Sequence, residues 1–170
     1  MRPLNLLLSL LAGAALAACG GGDDNTPSNT GGGKLTVSAA NPGAHNGDID
    51  VETATTKGNS ARAADGFSTL PYCEIFFENA LSSNGTRYRV QVYFRQGDKA
   101  VLHTSIMGGT SGWVVFHNNS GNPITGITVD TTARRLTYTA KVLSGGSGEA
   151  GTVNGTVSFP ANSGTPACGA

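Results

Sequence analysis

The chain has 170 residues, with 11 acidic and 11 lysine or arginine side chains, so its formal net charge is zero. Charged residues make up 13% of the sequence and 25 residues are glycine, against averages of about 25% charged and about 7% glycine. A balanced charge provides no bulk attraction to nucleic acid or to anionic lipid. We therefore expect no nucleic-acid partner, and the length favours a single domain.

The first residues have the layout of an export signal. Residues 1–3 carry one basic side chain, and an apolar run follows over residues 4–16. A spanning helix needs about 20 apolar residues, so this run is too short for one and is typical of a signal peptide. Ala15-Leu16-Ala17 fits the small-x-small pattern of ordinary signal peptidase cleavage. A second interpretation competes with that cleavage site.

Leu16-Ala17-Ala18-Cys19 resembles the lipobox of bacterial lipoprotein precursors at all four positions. The resemblance implies cleavage before Cys19 and attachment of a diacylglycerol and an N-acyl chain to that cysteine, which anchors the protein to a membrane. It divides the chain into a signal peptide (1–18), the lipidated cysteine with a flexible Gly, Asp, Asn, Ser and Thr tether (19–33), and one all-β domain (34–170). Gly20 stands where Asp would imply inner-membrane retention in enterobacteria, so the resemblance implies the outer membrane, with the domain in the periplasm or at the cell surface.

The number of cysteines supports lipidation. The chain has three, and lipidation of Cys19 leaves Cys73 and Cys168 as an even pair. Disulfides form and persist in exported proteins. We therefore predict a disulfide between Cys73 and Cys168 that ties the C-terminal tail to the core strands.

From residue 34 onward, apolar residues recur with period two, which predicts β-strands. Pairing Asn79 with Thr86 would form a hairpin of residues 72–79 and 86–95, with Glu78 opposite Arg87. Its apolar face would bring Cys73, Ile75 and Phe77 against Val92, Val90 and Tyr88.

A second group of strands is predicted near the C-terminus. Pairing Asp130 with Arg135, and Leu143 with Thr152, gives a three-strand meander with one apolar face. Further strands are expected near residues 35–38, 49–55, 100–107 and 112–117. Eight or nine short strands predict an antiparallel β-sandwich, with a small β-barrel as the alternative.

Acidic residues near the second predicted strand are weak candidates for a calcium site. Asn46, Asp48, Asp50 and Glu52 alternate with apolar residues and so would share one face. Neighbours on that face lie nearly 7 Å apart, too far to chelate one ion unaided. A solvated strand face is the favoured interpretation, and we predict no metal and no cofactor.

Two other sets of residues, and Trp113, each have a structural and a functional interpretation. His45, His103 and His117 are the only histidines, and a five-residue loop after Met107 would place His103 opposite His117. A basic stripe, defined as Arg87, Arg89, Tyr93, Arg95 and Lys99, could grip phosphate or an acidic glycan, but neighbouring glutamates favour a salt-bridged solvent face. Trp113 is interpreted as a core residue, with a sugar-stacking role as the alternative.

The sequence contains no G-x-S-x-G elbow, no phosphate-binding loop ending in Lys-Ser/Thr and no H-E-x-x-H motif. The glycines of residues 145–148 are interpreted as a turn. The favoured function is a non-catalytic envelope lipoprotein that binds an envelope protein or a glycan, or fills a structural role. The alternatives are a small lipid-anchored hydrolase with an unrecognised site, and a surface adhesin or ligand-binding module.

Overall fold

The computed structural model describes residues 31–108, 114–119 and 123–170, and these form ten strands and three short 3-10 helices. The strands are β1 (Gly32–Asn41), β2 (Gly47–Asp50), β3 (Thr56–Arg62), β4 (Tyr72–Ser82), β5 (Arg87–Arg95), β6 (Val101–Gly108), β7 (Val114–Asn119), β8 (Ile127–Asp130), β9 (Arg135–Ser144) and β10 (Ala150–Ser158). The 3-10 helices are Gly43–His45, Val51–Thr53 and Pro166–Cys168. The predicted all-β class is confirmed. No helix among the described residues is long and apolar enough to cross a membrane.

The sheet is antiparallel and nearly closed into a barrel. Its strands follow the order β10-β1-β2-β4-β5-β6-β7-β9, and β9 pairs in turn with β10. The first and last strands of the chain are therefore neighbours, with Gly32 paired to Ser158 at one end of the ladder. Of the two arrangements that the sequence left open, the observed strand order is that of the small barrel.

In two strands of this ring, one edge is divided between two partner strands. β4 pairs with β5 along one edge, while its other edge is shared by β3 and β2. β9 pairs with β10 along one edge, and its other edge is shared by β8 and the end of β7. β3 and β8 therefore satisfy edge groups that the ring itself leaves open.

The interior of the ring holds the apolar side chains that alternate along each strand. Full burial of one such side chain contributes about 1.5–3 kcal/mol. One polar contact lies among them, between Thr104 Oγ1 and the Tyr138 hydroxyl at 2.8 Å. The largest fully buried side chains are Tyr88, Tyr138, Phe77, Phe94, Phe159, Leu35, Ile49, Ile75, Ile106, Leu136 and Leu143.

The pairing of the described strands shifts register at four places, one of them between β5 and β6, and the other three are β-bulges with a common feature. Each inserts one extra residue into a strand and contains a non-glycine residue with positive φ: Ala39 in β1 (φ 50°), Asn79 in β4 (φ 58°) and Ala140 in β9 (φ 44°). A bulge bends its strand and increases the local twist. The bulges thus supply curvature that a ring of strands needs.

The predicted first hairpin has the right faces but the wrong register. The face assignment is right, because Cys73, Ile75 and Phe77 are buried. The register is wrong by two residues, because Ile75 pairs with Val92. β4 continues through the bulge to Ser82, so the turn lies later than expected.

The C-terminal meander is right in its first half and wrong in its second. Asp130 pairs with Arg135 and Ile127 with Tyr138, as predicted. The register of β9 with β10 is wrong on both sides of the bulge at Ala140. Leu143 pairs with Gly151 instead of Thr152, and Tyr138 pairs with Gly155, two residues from the partner that the predicted register gives it. Val142, which the predicted register aligned with Val153, is 61% exposed.

The C-terminal tail lies against β3 and is fixed there by a disulfide. Cys73 and Cys168 are bonded, as predicted, with Cα atoms 5.6 Å apart. Asn59 at the middle of β3 donates to the carbonyls of Pro160 and Cys168 at 2.9 and 2.8 Å. Asn162 returns a hydrogen bond to the Asn59 carbonyl at 2.9 Å. The tail thus supplies hydrogen-bond partners to a strand that β4 pairs along one side only.

We predict that removing this disulfide destabilises the domain without changing its fold. The bond closes a loop with a sequence separation of 95 residues, and loss of a native disulfide from a small exported domain costs about 2–5 kcal/mol. The double variant Cys73→Ala/Cys168→Ala should lose a free energy of unfolding in this range in urea titrations. An unchanged midpoint in oxidising buffer would contradict the structural role of the bond.

Candidate functional site

Four aromatic side chains form a cluster on the outside of the sheet, which we call the aromatic shelf: Phe67, Tyr72, Tyr93 and His103. Tyr93 and His103 are cross-strand partners on β5 and β6. Tyr72 starts β4, and its outward direction follows from the burial of Cys73 in the opposite face. Phe67 comes from the loop between β3 and β4. Three strands and a loop therefore build one surface.

The rings of the shelf contact one another. The centroids of Tyr93 and His103 are 4.9 Å apart with planes at 39°, and those of Tyr72 and Tyr93 are 5.5 Å apart at 46°. Phe67 stands nearly perpendicular to Tyr93, at 5.1 Å and 84°, and to His103, at 6.3 Å and 87°. Edge-to-face pairs at these separations contribute about 0.5–1.5 kcal/mol each. Phe67 keeps 39% of its surface exposed.

A hydrogen-bonded turn holds Phe67 in place. Asp65 Oδ1 accepts from the backbone amides of Phe67 and Ser68 at 2.8 and 3.1 Å. Its other oxygen accepts from the Tyr72 hydroxyl at 2.9 Å. Aspartate commonly bonds the backbone two residues later to form such a turn. The loop is thus joined to the shelf through both its backbone and its carboxylate.

These contacts shift two pKa values in opposite directions. The pKa of Asp65 is lowered, mainly by the hydrogen bond from the Phe67 amide and then by that from the Tyr72 hydroxyl. The pKa of Tyr72 is raised to about 12, first by burial and then by its hydrogen bond to Asp65. Both shifts favour the state in which a protonated Tyr72 hydroxyl donates a hydrogen bond to an ionised Asp65.

A polar network lies beside the shelf on the same face. The Glu74 side chain is only 9% exposed and forms an ion pair with Arg62. Glu74 also accepts from Gln91 Nε2 at 2.7 Å, and the same nitrogen donates to the Tyr93 hydroxyl at 2.7 Å. A buried carboxylate needs such partners, since an unpaired one would be strongly destabilising. The network therefore fixes the hydroxyl end of Tyr93.

Two arginines of the predicted basic stripe form ion pairs. Arg89 pairs with Glu78 at 3.0 Å and Arg95 with Asp98 at 2.6 Å. The predicted contact between Glu78 and Arg87 is wrong, because the shifted register gives Glu78 to Arg89 instead.

Arg87 and Lys99 make hydrogen bonds to backbone carbonyls. Arg87 donates to the Asn79 carbonyl at 3.0 Å, and Lys99 Nζ donates to the carbonyls of Gln96 and Ala167 at 2.6 and 2.7 Å. Together with the ion pairs, these bonds support the interpretation of the basic stripe as a salt-bridged solvent face.

A cavity of about 400 Å³ lies at the end of β5. It is lined by Leu70, Pro71, Arg95, Gln96, Gly97 and Asp98. Leu70 is 51% exposed and follows Phe67 by three residues in the same loop. The cavity therefore lies near the aromatic shelf, with the Arg95–Asp98 ion pair in its wall.

The calcium candidates do not converge. β2 ends at Asp50 and a 3-10 helix begins at Val51, so the predicted strand over 49–55 is wrong beyond Asp50. Asp50 caps that helix by accepting from the Glu52 amide at 3.0 Å, and Asp48 accepts from Thr36 Oγ1 at 2.7 Å. Among the described residues, no group of three or more His, Cys, Asp or Glu side chains could hold a metal ion.

The histidines do not form the predicted facing pair. His103 pairs with Asn119, while His117 pairs with Ser105, so the alternative that placed the two histidines opposite each other is wrong. His103 lies in the aromatic shelf. His45 Nδ1 lies 2.6 Å from the hydroxyl of Tyr88, whose ring is in the core.

Three further predictions concern particular segments. Gly145 donates to the Glu149 carbonyl at 2.7 Å, which closes the turn between β9 and β10 as expected. Cys19 and Trp113 lie outside the residues that the structure describes.

Sequence reasoning found only part of the shelf. The alternation in β4 and β5 places Tyr72 and Tyr93 on the outer face, and Tyr93 was assigned to the basic stripe. Phe67 was missed because it lies in a loop, where no periodicity connects it to a strand. The Asp65-x-Phe67 spacing, with a turn-forming aspartate, is the one local signal that could have indicated it.

Comparison of the chain with protein-family models, with curated protein sequences and with solved structures found no match.

We predict that Tyr72 makes stability fall at alkaline pH. Its pKa in the folded protein, about 12, exceeds the ordinary value of 10.0, so its contribution is complete below pH 10 and is lost as the pH rises to about 12. Tyr72→Phe should therefore lose less of its free energy of unfolding than the wild type across this range, measured by urea titration.

The phenolate absorbance of the same two proteins gives an independent check. Subtracting the titration of Tyr72→Phe from that of the wild type should leave one phenol with a midpoint near 12. A difference curve centred on 10 would show that Tyr72 is neither buried nor bonded to Asp65.

Proposed function

We propose that this chain is a lipid-anchored envelope lipoprotein whose β domain binds a partner and catalyses no reaction. Export and lipidation are supported by the signal-like residues 1–18 and by Leu16-Ala17-Ala18-Cys19. Gly20 after the cysteine supports an outer-membrane destination. The domain would then lie in the periplasm or at the cell surface.

The observation that best supports lipidation is the use of the cysteines. The chain contains three, and two of them, Cys73 and Cys168, are bonded to each other. Cys19 is then the remaining thiol, which in an oxidising compartment would be exposed and reactive. A thioether bond to diacylglycerol uses that thiol. One acyl chain anchors a protein only weakly, so the three chains of a mature lipoprotein account for stable attachment.

The tether between Cys19 and β1 supports a domain held close to its membrane. Residues 20–33 are rich in glycine and in polar side chains, a composition too poor in apolar surface to fold alone. A flexible chain of this length has a root-mean-square reach of roughly 20 Å. The structure places the start of β1 at Gly32, so the last two of these residues belong to the sheet.

A binding role for the domain is supported by the aromatic shelf. Aromatic side chains that are partly exposed and held by hydrogen bonds lose little conformational entropy when a partner binds, which favours binding. Three of the four shelf residues lie on paired strands, and sites on such elements are positioned more precisely than sites on loops. Phe67 lies in a loop and is held by the hydrogen-bonded turn at Asp65. This observation favours a ligand-binding module among the envelope functions that the sequence left open.

Metabolic labelling tests the anchor. Cells expressing the full chain and fed an alkyne-tagged fatty acid should produce a labelled protein in the membrane fraction. Cys19→Ser should abolish both the label and membrane attachment, because it removes the acceptor sulfur. Cys73→Ala/Cys168→Ala is the matched control, and it should keep the label because the disulfide does not take part in lipidation.

Two other results would contradict lipidation at Cys19. A mature protein that begins at Ala18 and stays unlabelled in the soluble fraction would contradict the proposal and favour ordinary signal peptidase cleavage. Label that persists in Cys19→Ser would place the lipid elsewhere.

A further inference from the structure

The aromatic shelf has no space between its rings. Its centroid separations run from 4.9 to 6.3 Å, the range of aromatic rings in direct contact. A cage for a quaternary ammonium group surrounds the cation with separate ring faces, and a proline-rich helix docks into a groove between aromatic side chains. Neither would fit between rings that touch. A ligand must therefore lie across the outer surface of the shelf.

The charges next to the shelf favour a neutral ligand. Arg62, Arg89 and Arg95 are each paired with a carboxylate of the same face. An anionic ligand would have to displace Glu74, Glu78 or Asp98 from its arginine. A cationic ligand would have to draw Asp65 away from the Phe67 and Ser68 amides and the Tyr72 hydroxyl that already hold it. A ligand without net charge leaves all three ion pairs intact.

The rim of the shelf carries polar groups in fixed positions. Asp65 is exposed, and the hydrogen bonds from Phe67 and Ser68 hold its carboxylate in place. The Arg62 side chain is 51% exposed while Nε bonds Glu74 at 2.9 Å, which orients the rest of its guanidinium. The Tyr93 hydroxyl is used inside the polar network, where it accepts from Gln91. The rim thus offers an acceptor, Asp65, and a donor, Arg62, beside the exposed ring of Phe67.

A pyranose ring is complementary to this arrangement. One face of a neutral hexose presents C–H groups, which pack on an aromatic ring, and its equatorial hydroxyls need hydrogen-bond partners at the margin. We propose that the aromatic shelf binds a neutral hexopyranose oligosaccharide, with one sugar stacked on the exposed ring of Phe67. This assignment rests on the proposed binding function and names the ligand class of the same site.

The cavity at the end of β5 extends the site. Arg95 follows Tyr93 by two residues on the same face, which places it about 7 Å along the strand. The cavity between Leu70 and Arg95, about 400 Å³ in volume, therefore lies within the length of a second sugar unit. The site accepts an oligosaccharide better than a single hexose.

Binding is tested with the full lipidated protein in detergent micelles. Its probes are cellohexaose, maltohexaose and chitohexaose with a fluorescent end label, and the readout is fluorescence anisotropy with the unlabelled sugar as competitor. We expect at least one of the three to bind at submillimolar concentration. Phe67→Ala should weaken that binding about tenfold, since one aromatic contact contributes up to about 1.5 kcal/mol.

Two further variants separate ring stacking from folding. Phe67→Leu keeps an apolar anchor for the loop but removes the flat ring, so it should lose binding. It should keep the circular dichroism spectrum and the cooperative unfolding of the wild type, at a midpoint lowered by the lost ring contacts. Leu81→Ala is the matched control, because Leu81 is 36% exposed and lies nine residues along β4 from Tyr72, at the other end of the strand. Its binding should equal that of the wild type.

Four outcomes would overturn the proposal. These are no binding of any hexasaccharide at millimolar concentration, unchanged binding by both Phe67 variants, tighter binding of an acidic oligogalacturonate, and binding of a decaproline peptide in place of the sugars. None of these depends on lipidation, so fatty-acid labelling of the same preparations distinguishes failure of this site from failure of the proposed anchor.

Discussion

A sheet with one apolar face must hide both that face and its strand edges, and this chain does so by curling until its first and last strands pair. The pairing of β1 with β10 is therefore the contact on which the core depends, because it brings residues more than a hundred positions apart into one ladder. The divided edges of β4 and β9 complete the ring, and the tail bonded through Cys168 lies along β3. The remaining features are attached to the outside of this frame.

The sequence predicted which side chains face inward better than which residues pair. Alternation in β4 and β5 placed Cys73, Ile75 and Val90 correctly in the core, since period two follows from the geometry of any strand. The register was wrong on both sides of the bulges at Asn79 and Ala140, because the turns that join these strands lie elsewhere than predicted and each bulge changes the offset by one more residue. Neither is the glycine that a positive φ favours, so no composition signal marked them. β3 was missed because its sequence, Thr-Lys-Gly-Asn-Ser-Ala-Arg, contains no apolar alternation and is held by β4 and the tail.

For the candidate site, too, the face of a residue could be predicted but its neighbours could not. Tyr93 could be placed on the outer face from its position in β5. Of the two glutamates expected to neutralise the basic stripe, Glu78 pairs with Arg89, whereas Glu74 pairs with Arg62 outside the stripe. The neighbours of Tyr93 could not be predicted, because Phe67 comes from a loop and His103 from a strand whose register was open. The buried Glu74 was expected in solvent, and it is covered because the unpredicted β3 brings Arg62 beside it. A site assembled from separate strands thus becomes visible only once their order is known.

Native-state hydrogen exchange tests most directly the claim that the ring of paired strands and the disulfide-bonded C-terminal tail hold the fold together. With the disulfide intact, the account predicts that amides of β1, β4, β5 and β10 exchange only by global unfolding, and that β3 is protected nearly as well. Reduction should lower the protection of β3 and of the Asn162 amide, which donates to the Gly169 carbonyl at 2.7 Å, by more than it lowers the protection of β5. Fast exchange along β1 and β10 in the oxidised protein, or a reduction that leaves β3 unchanged, would contradict the account.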